Sequence, residues 1–590
     1  MNQIRNRGAA AALAALLIAI IAGVGRASVA ELSLAGLDRQ TASDSFTFIV
    51  WGDNRCRAGA LNSPTFARII RDSNLLAPAF TVGVGDLISN AEETDLEWTR
   101  EQWADFIAAV GRFDMPCMPV IGNHDLDGPQ TSGMYEELVG PRRYSFDFAG
   151  CRFIVLDSEQ EGGFGAEQFQ WLSDRLAQGE RPRHVFLFMH APMFRAEAAW
   201  EPIHLLLRRF PVRAVFAGHE HIYCYDERDG IRYVITGGAG APLRDPPERG
   251  GFYHYVIANV RGDEISLAVV REGAMLPPEC VLRGEFDLTN EMLAAIAAPE
   301  IDAPVGECAV VAGEAELRNP GDEVWDGVAR WRASGGWLIE PEQVGFSLAP
   351  GENARIAFTV HVPGPLPARY PLPELTVDYA TDAGRTLSFA KPVRLRSLLS
   401  CPRADGFDGV KTPVPVTPPD FFRPVPDDLS ASVQLRWDAQ ALHVLVAVVD
   451  DIRRHEHYGD DLWEGDSIQV FFDMAADGNA RDRQADDHEF CAGRGARGAE
   501  VWRYAGPGAG AAAENVTCEI SEDATGRTYA LVIPWAELKP FEPKPGATFG
   551  FSLVVNDDDG FDAGGLMWLE LTPRAGSGRT PFPLDAVILE

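Results

Sequence analysis

Cys117–Asp125 reads CMPVIGNHD. An apolar run stops at Gly122 and gives way to three polar side chains, Asn123, His124 and Asp125. Such groups are costly to bury without partners. The run therefore ends either in a turn or at a reaction centre, and the rest of the chain decides between them.

Around this stretch the chain alternates apolar runs with amphipathic helical segments, from about Ser45 to Val269. FTFIVW ends in Gly52–Asp53, AFTVGV in Gly85–Asp86, CMPVI in Gly122–Asn123–His124–Asp125, HVFLFM in His190, and RAVFA in Gly218–His219–Glu220–His221. The pattern predicts an α/β fold with strands buried on both faces. Ligands of open α/β sheets bind at the carboxyl ends of the strands. The five polar clusters should therefore meet in one place. Taken singly, a Gly–Asp is an ordinary turn and a strand-end His an ordinary satisfied residue. Five clusters at the same point of five strands have no ordinary packing explanation.

Two carboxylates, an amide oxygen and three imidazoles suit two divalent or trivalent transition metals. Imidazole favours Fe, Mn or Zn over Ca and Mg. A carboxylate shared between the cations sets them about 3.5–4 Å apart, clamping a tetrahedral anion.

The ordered set GD…GD…GNHD…H…GHEH resembles the calcineurin-like metallophosphoesterases, including the purple-acid-phosphatase-like branch. RRYSFDFAGCRFIVLDSEQ, FLFMHAPMF and YVITGGAGAPL resemble that superfamily too. The resemblance implies an αββα four-layer sandwich with a two-metal centre at one edge. It implies Asp53 and His221 on the first metal, Asn123, His190 and His219 on the second, and Asp86 bridging them. His124 would face the leaving-group oxygen, and Asp125 would orient His124. One position departs. Many members read Asp-x-His in the first motif, and that His binds the first metal; here the text is Asp53–Asn54–Arg55. The purple-acid branch places a Tyr where this chain has Ser89. Arg55 either grips a phosphate oxygen or pairs with a nearby carboxylate. Cys56 does not match a ligand position of the family.

The chain has 590 residues, 46% of them hydrophobic, enough for several packed cores. A net charge of −34 argues against a nucleic-acid groove or an anionic-lipid surface. Arg5 and Arg7 precede the apolar run AAAALAALLIAIIAGVG, and RASVA follows. This is the layout of a signal peptide over residues 1–30, with a cut after Ala30. The expectation is an exported protein, periplasmic or extracellular, with no membrane span after cleavage. Nine cysteines permit disulfides, and Cys491 with Cys518 is the first candidate pair.

The phosphoesterase-like domain is expected over 31–290, with NEMLAAIAAPEIDAPVG as a linker. Short strand-like runs over 300–400, such as RIAFTVHV, alternate with turn clusters and predict an Ig-like β-sandwich. Residues 401–590 predict a second sandwich. LRWDAQALHVLVAVVDD, LWEGDSIQVFFDM, YALVIPWAELKP and FGFSLVVNDDDG resemble the carbohydrate-binding module family 9. Trp502 and Tyr504 are candidate sugar platforms, and Asp557–Asp559 form either a calcium site or a polar turn.

The reading is thus a secreted phosphoesterase that hydrolyses phosphate esters by metal-bound hydroxide and carries a module for polysaccharide or envelope glycan. Its rivals are a glycan-binding surface protein with a degenerate phosphoesterase domain, and an enzyme for sulfate or pyrophosphate links.

Overall fold

The computed structural model describes residues 27–590 except 41–42, 56–63, 161–163, 298–299, 306–307, 334–335, 365–371, 382–383, 408–411, 415–428, 455–456, 477–484, 496–497, 524–525, 559–565 and 573–583. The apolar run of the expected signal sequence lies outside the described residues, as do Cys56 and Asp559. Among the described residues no helix is long and apolar enough to cross a membrane. The chain forms two compact units that divide between Thr289 and Asn290.

The first unit runs α1 (Val29–Leu37), β1 (Ser45–Trp51), α2 (Pro64–Leu76), β2 (Phe80–Val84), α3 (Leu96–Val110), β3 (Cys117–Val120), α4 (Pro129–Leu138), β4 (Tyr144–Phe148), β5 (Cys151–Val155), α5 (Ala166–Ala177), β6 (His184–Phe188), α6 (Glu197–Leu207), β7 (Val212–Ala217), β8 (Tyr223–Arg228), β9 (Ile231–Thr236), β10 (His254–Arg261), β11 (Glu264–Arg271) and β12 (Ala274–Leu276). The strands make two six-stranded sheets, ordered β12-β11-β10-β1-β2-β3 and β4-β5-β6-β7-β9-β8. β1, β2 and β3 are mutually parallel, as are β5, β6, β7 and β9.

The sheets share a core of phenylalanines, among them Phe48, Phe80, Phe153, Phe186 and Phe188, all fully buried. Phe153 stacks on Phe186 with centroids 5.3 Å apart and meets Phe80 edge-on at 5.0 Å. These offset and edge-on arrangements suit the ring quadrupole. On the outer face of one sheet lie Trp51, Trp103, Phe106 and Tyr135, under α1–α4. On the outer face of the other lie Leu172, Ile203 and Leu207 of α5 and α6. The result is the expected αββα sandwich. Strands buried on both sides explain why their sequences are apolar throughout rather than alternating.

The described fold starts upstream of the expected cleavage point. Ser28 caps α1 in a reciprocal box: its hydroxyl accepts from Glu31 N, and its own N–H donates to Glu31 Oε2 at 2.9 Å. Val29 is 2% exposed and belongs to the core. Ala30 N donates to Val139 O at 2.9 Å. A cut after Ala30 would remove the cap and a core side chain together.

The second unit is built of strands. The segment expected as a linker instead carries the helix Phe286–Ala295 and the strand Glu300–Pro304. Two four-stranded sheets follow, with Trp325 and Trp337 buried. The C-terminal sandwich packs a five-stranded sheet against a nine-stranded one over a single apolar core. Glu300–Pro304 pairs in parallel with Arg394–Cys401, which pairs in parallel with Asp585–Leu589 of the nine-stranded sheet. The strands that open and close the 300–401 segment therefore lie in the sheet of the C-terminal sandwich.

The expected Cys491–Cys518 bridge is absent: both are free thiols. Cys491 is buried on Asp487–Gly495 of the nine-stranded sheet, and Cys518 lies on Thr517–Glu522 of the five-stranded one.

Candidate metal centre

Asp53, Asp86, His190 and His219 each stand two residues beyond the end of β1, β2, β6 and β7, and Asn123 three beyond β3. Four residues of the centre, Asp53, Asp86, His219 and His221, have left-handed backbone, with φ of 59°, 53°, 73° and 51°. Non-glycine residues adopt this region at a cost, and such residues concentrate at functional sites. The glycines between strand and ligand make room. A Cβ on Gly122 would stand 2.1 Å from Asp86 N, and one on Gly218 would stand 2.4 Å from Asp53 Oδ2.

Asp86 is the hub and is 1% exposed. Its Oδ1 lies 3.1 Å from His190 Nε2. Asn123 Oδ1 is 3.0 Å from the same nitrogen and 2.9 Å from His219 Nδ1. His219 Nδ1 is 3.3 Å from His190 Nε2. His190 Nδ1 donates to Val84 O at 2.9 Å, which turns Nε2 inward. Two oxygens and two imidazole nitrogens thus converge, and each can offer a lone pair to a cation. A transition-metal cation fits this donor set. Asp53, Asp86 and His190 also bring ligand atoms within 4.8 Å of one another.

The other half of the expected set is arranged differently. His221 Nδ1 donates to Pro242 O at 2.9 Å, so its Nε2 lone pair faces the centre, 3.4 Å from Asp53 Oδ1. Arg55 enters at this point. Its Nη2 is 3.4 Å from His221 Nε2, its Nε 3.4 Å from Asp86 Oδ2, and its Nη1 2.9 Å from His124 Nδ1. Both Asp53 oxygens accept the His219 N–H, at 3.1 and 2.9 Å.

The electrostatics follow from burial and proximity. Burial pushes the Asp53 carboxyl up to about 7, against the pull of His190. Burial would also raise Asp86, but His190, His124 and Arg55 together hold it well below the usual carboxylate range. Burial lowers His221 to about 4, and Arg55 adds to this.

His124 is brought to the same cluster. Its N–H donates to Asp86 Oδ1 at 3.0 Å, and its Nδ1 lies 3.2 Å from Asn90 Oδ1. The expectation that Asp125 orients it is corrected. Asp125 Oδ1 accepts from Leu87 N and Ile88 N at 2.8 and 3.1 Å, and Oδ2 accepts from Gly122 N at 2.7 Å. It clamps the loop after β2 to the loop after β3. Sequence reasoning missed Asn90 and Arg244, whose charge acts on both Arg55 and His221. No strand-end pattern marks either. Pro242, whose carbonyl fixes His221, lies within the quoted GGAGAPL.

Residues 50–223 match the family model described as calcineurin-like phosphoesterase. This part of the chain is a calcineurin-like phosphoesterase domain. It resembles the rat serine/threonine-protein phosphatase CPPED1, 28% identical over 191 residues, which are 28% of this chain and 61% of that protein. It also resembles the Escherichia coli K12 3′,5′-cyclic adenosine monophosphate phosphodiesterase CpdA, 25% identical over 165 residues, covering 26% and 60% of the two chains. A probable inactive purple acid phosphatase 27 of Arabidopsis thaliana is 24% identical over 245 residues, covering 32% and 38%. The chain thus spans about three fifths of the length of the first of these relatives. Residues 420–578 match the model described as carbohydrate family 9 binding domain-like.

Within that module Trp502 and Tyr504 lie on one face of the strand Gly498–Ala505, and both are half-buried. The 3₁₀ segment Gly459–Glu464 lies against them, and the Tyr504 hydroxyl donates to Asp460 O at 2.6 Å. As platforms they are partly covered. Asp557 and Asp558 belong to the strand Thr548–Asp558, not to a turn. Alternation along the strand sends them to opposite faces, so consecutive aspartates do not form one ligand set. Asp557 instead joins Asp450 and Asp466, with ligand atoms within 4.8 Å of one another. Arg527 is the cation of this group: its Nη1 lies 2.9 Å from Asp466 Oδ2 and 4.0 Å from Asp450 Oδ2.

Burial and the charge of Asp466 raise the Asp450 carboxyl to about 7, against Arg527 and Arg453. A carboxyl raised in the folded state stabilises it below the ordinary value of 3.8, and this stabilisation is lost as pH rises through about 7. Hydrogen exchange on the strand Ala441–Asp450 should therefore speed up between pH 4 and pH 7 beyond its intrinsic rise. Asp450→Asn should flatten that dependence. An equal slope in the two proteins would contradict the assignment.

Proposed function

We propose that this protein is an exported, metal-dependent phosphoesterase that the family 9-like module holds on polysaccharide or envelope glycan. The reading rests on one observation above all: the convergence of Asp86, Asn123, His190 and His219 beside Arg55 and His124. Bound there, a transition-metal cation supplies Lewis acidity to a phosphoryl oxygen and lowers the pKa of water.

The chain's own groups do the rest. Arg55 Nη1 and Asn90 Oδ1 both face His124 Nδ1, and with Arg55 as the donor the imidazole proton stands on Nε2. That Nε2–H, 4.0 Å from Asp86 Oδ2, would be the donor to the leaving-group oxygen. Arg55 and Arg244 oppose the repulsion that a chain of net charge −34 exerts on an anionic substrate. The carbohydrate module raises the local concentration of ester groups near a surface.

Arg55 also favours a second reading, a glycan-binding protein with a silent phosphoesterase domain. Turnover of p-nitrophenyl phosphate and bis(p-nitrophenyl) phosphate by the full chain separates the two. Turnover that a chelator abolishes, and that His190→Ala lacks, supports the enzyme. A metal-replete protein with no turnover of a panel of mono- and diesters, sulfate esters and pyrophosphates supports the second reading.

His124→Ala should lower kcat by about 10²–10⁴-fold for alkyl phosphates and far less for p-nitrophenyl esters, because a good leaving group needs little proton donation. Equal losses on both substrate types would contradict the donor role. N-terminal sequencing of protein recovered after export should give a start at or before Ser28. A start at Glu31 would contradict the role of Ser28 and Val29 in the fold.

A further inference from the structure

We propose that the Arg55 guanidinium takes the place of the first of the two cations that the motifs imply, so that the phosphoesterase domain holds one metal ion. The proposal rests on the metal-dependent reading above and changes its stoichiometry.

The two halves of the ligand set behave differently. Around Asp86 Oδ1, Asn123 Oδ1, His190 Nε2 and His219 Nδ1 the converging atoms are two oxygens and two imidazole nitrogens, each able to offer a lone pair to a cation. This half fits a cation. The other half is made of Asp53, Asp86 Oδ2 and His221 Nε2. Two of its three members already face guanidinium nitrogens of Arg55, each at 3.4 Å. The first-metal group therefore does not fit a second ion while Arg55 is in place.

The position of Arg55 is built rather than incidental. Asp53 N donates to Gly85 O, and Ala241 N donates to Asp53 O, so the backbone two residues before Arg55 is held from both sides. The Arg55 side chain is 15% exposed. The guanidinium faces three groups: Nη1 and Nη2 lie by His124 and His221, and Nε stands in ion-pair range of Asp86 Oδ2 without a hydrogen bond. The Nδ1–H of His221 is committed to Pro242 O, so the neutral ring turns its Nε2 lone pair inward. A neutral imidazole that would otherwise ligate a metal thus accepts from an arginine.

The charges agree. Asp53 and Asp86, both nearly fully buried, bring at most two negative charges to the site. One dication and one guanidinium exceed that by a single positive charge, which a phosphate oxygen offsets. A second dication would add two more positive charges and sit within contact range of a group that stays protonated in proteins. In this arrangement Arg55 supplies fixed positive charge without acidifying water, and its Nη1 stands 2.9 Å from His124 Nδ1.

The test is metal stoichiometry, measured on the full chain loaded with excess Mn²⁺ and then desalted. Wild type should retain about one ion per chain, and Arg55→His, which supplies an imidazole ligand, about two. Electron paramagnetic resonance should show an isolated Mn²⁺ in wild type and an exchange-coupled pair in the His variant. Should Arg55→His fail to fold, Arg55→Ala should still bind a second ion at higher Mn²⁺. His190→Ala should bind none, and Asp53→Asn should keep the single ion. Two ions in wild type would overturn the proposal, and so would an unchanged count in both Arg55 variants. Turnover with two ions would overturn the stoichiometry and leave the enzyme reading intact. One ion with no turnover would do the reverse.

Discussion

The centre depends on the Asp86 carboxylate. It is nearly fully buried, and a buried carboxylate stays ionised only when charges and donors surround it. Those partners come from three other strand ends, those of β1, β3 and β6. His190 faces one of its oxygens and Arg55 the other, while the His124 N–H binds the first. Removing any of them leaves a charge in a dry interior. The same carboxylate therefore ties the loops after β1, β2, β3 and β6 into one body.

The fold delivers those groups because of how its strands are arranged. Parallel strands place all their carboxyl ends at one edge, and the phenylalanine core between the sheets fixes the two edges relative to each other. Strain is confined to that edge, where four residues of the centre take left-handed backbone. The glycines before Asn123 and His219 let a neighbouring loop approach closer than any side chain would allow. Asp125 then locks two of the loops through backbone N–H groups alone.

Much of this was legible in the sequence. Apolar runs that end in Gly–Asp, Gly–Asn–His–Asp and Gly–His–Glu–His carry strand, turn and ligand in consecutive residues, so Asp53, Asp86, Asn123, His190, His219 and His221 could all be named. Arg55 was visible as a departure, but not its reach to three partners, which depends on side-chain packing. Asp125 misled because adjacency to His124 suggested a shared task, whereas a tight 3₁₀ turn sends its carboxylate to the backbone. The linker reading of 290–306 failed for a related reason: Pro and Ala mark breaks in a helix pattern, yet an edge strand tolerates both. Asp557 and Asp558 look like one acidic motif in text and face opposite sides of a strand in space.

The most direct test of the account is anomalous diffraction from crystals of the full chain grown with Mn²⁺. The account predicts an anomalous peak within ligand distance of Asp86 Oδ1, Asn123 Oδ1, His190 Nε2 and His219 Nδ1. A strong peak elsewhere in the domain, or none at this cluster in metal-replete crystals, would contradict it.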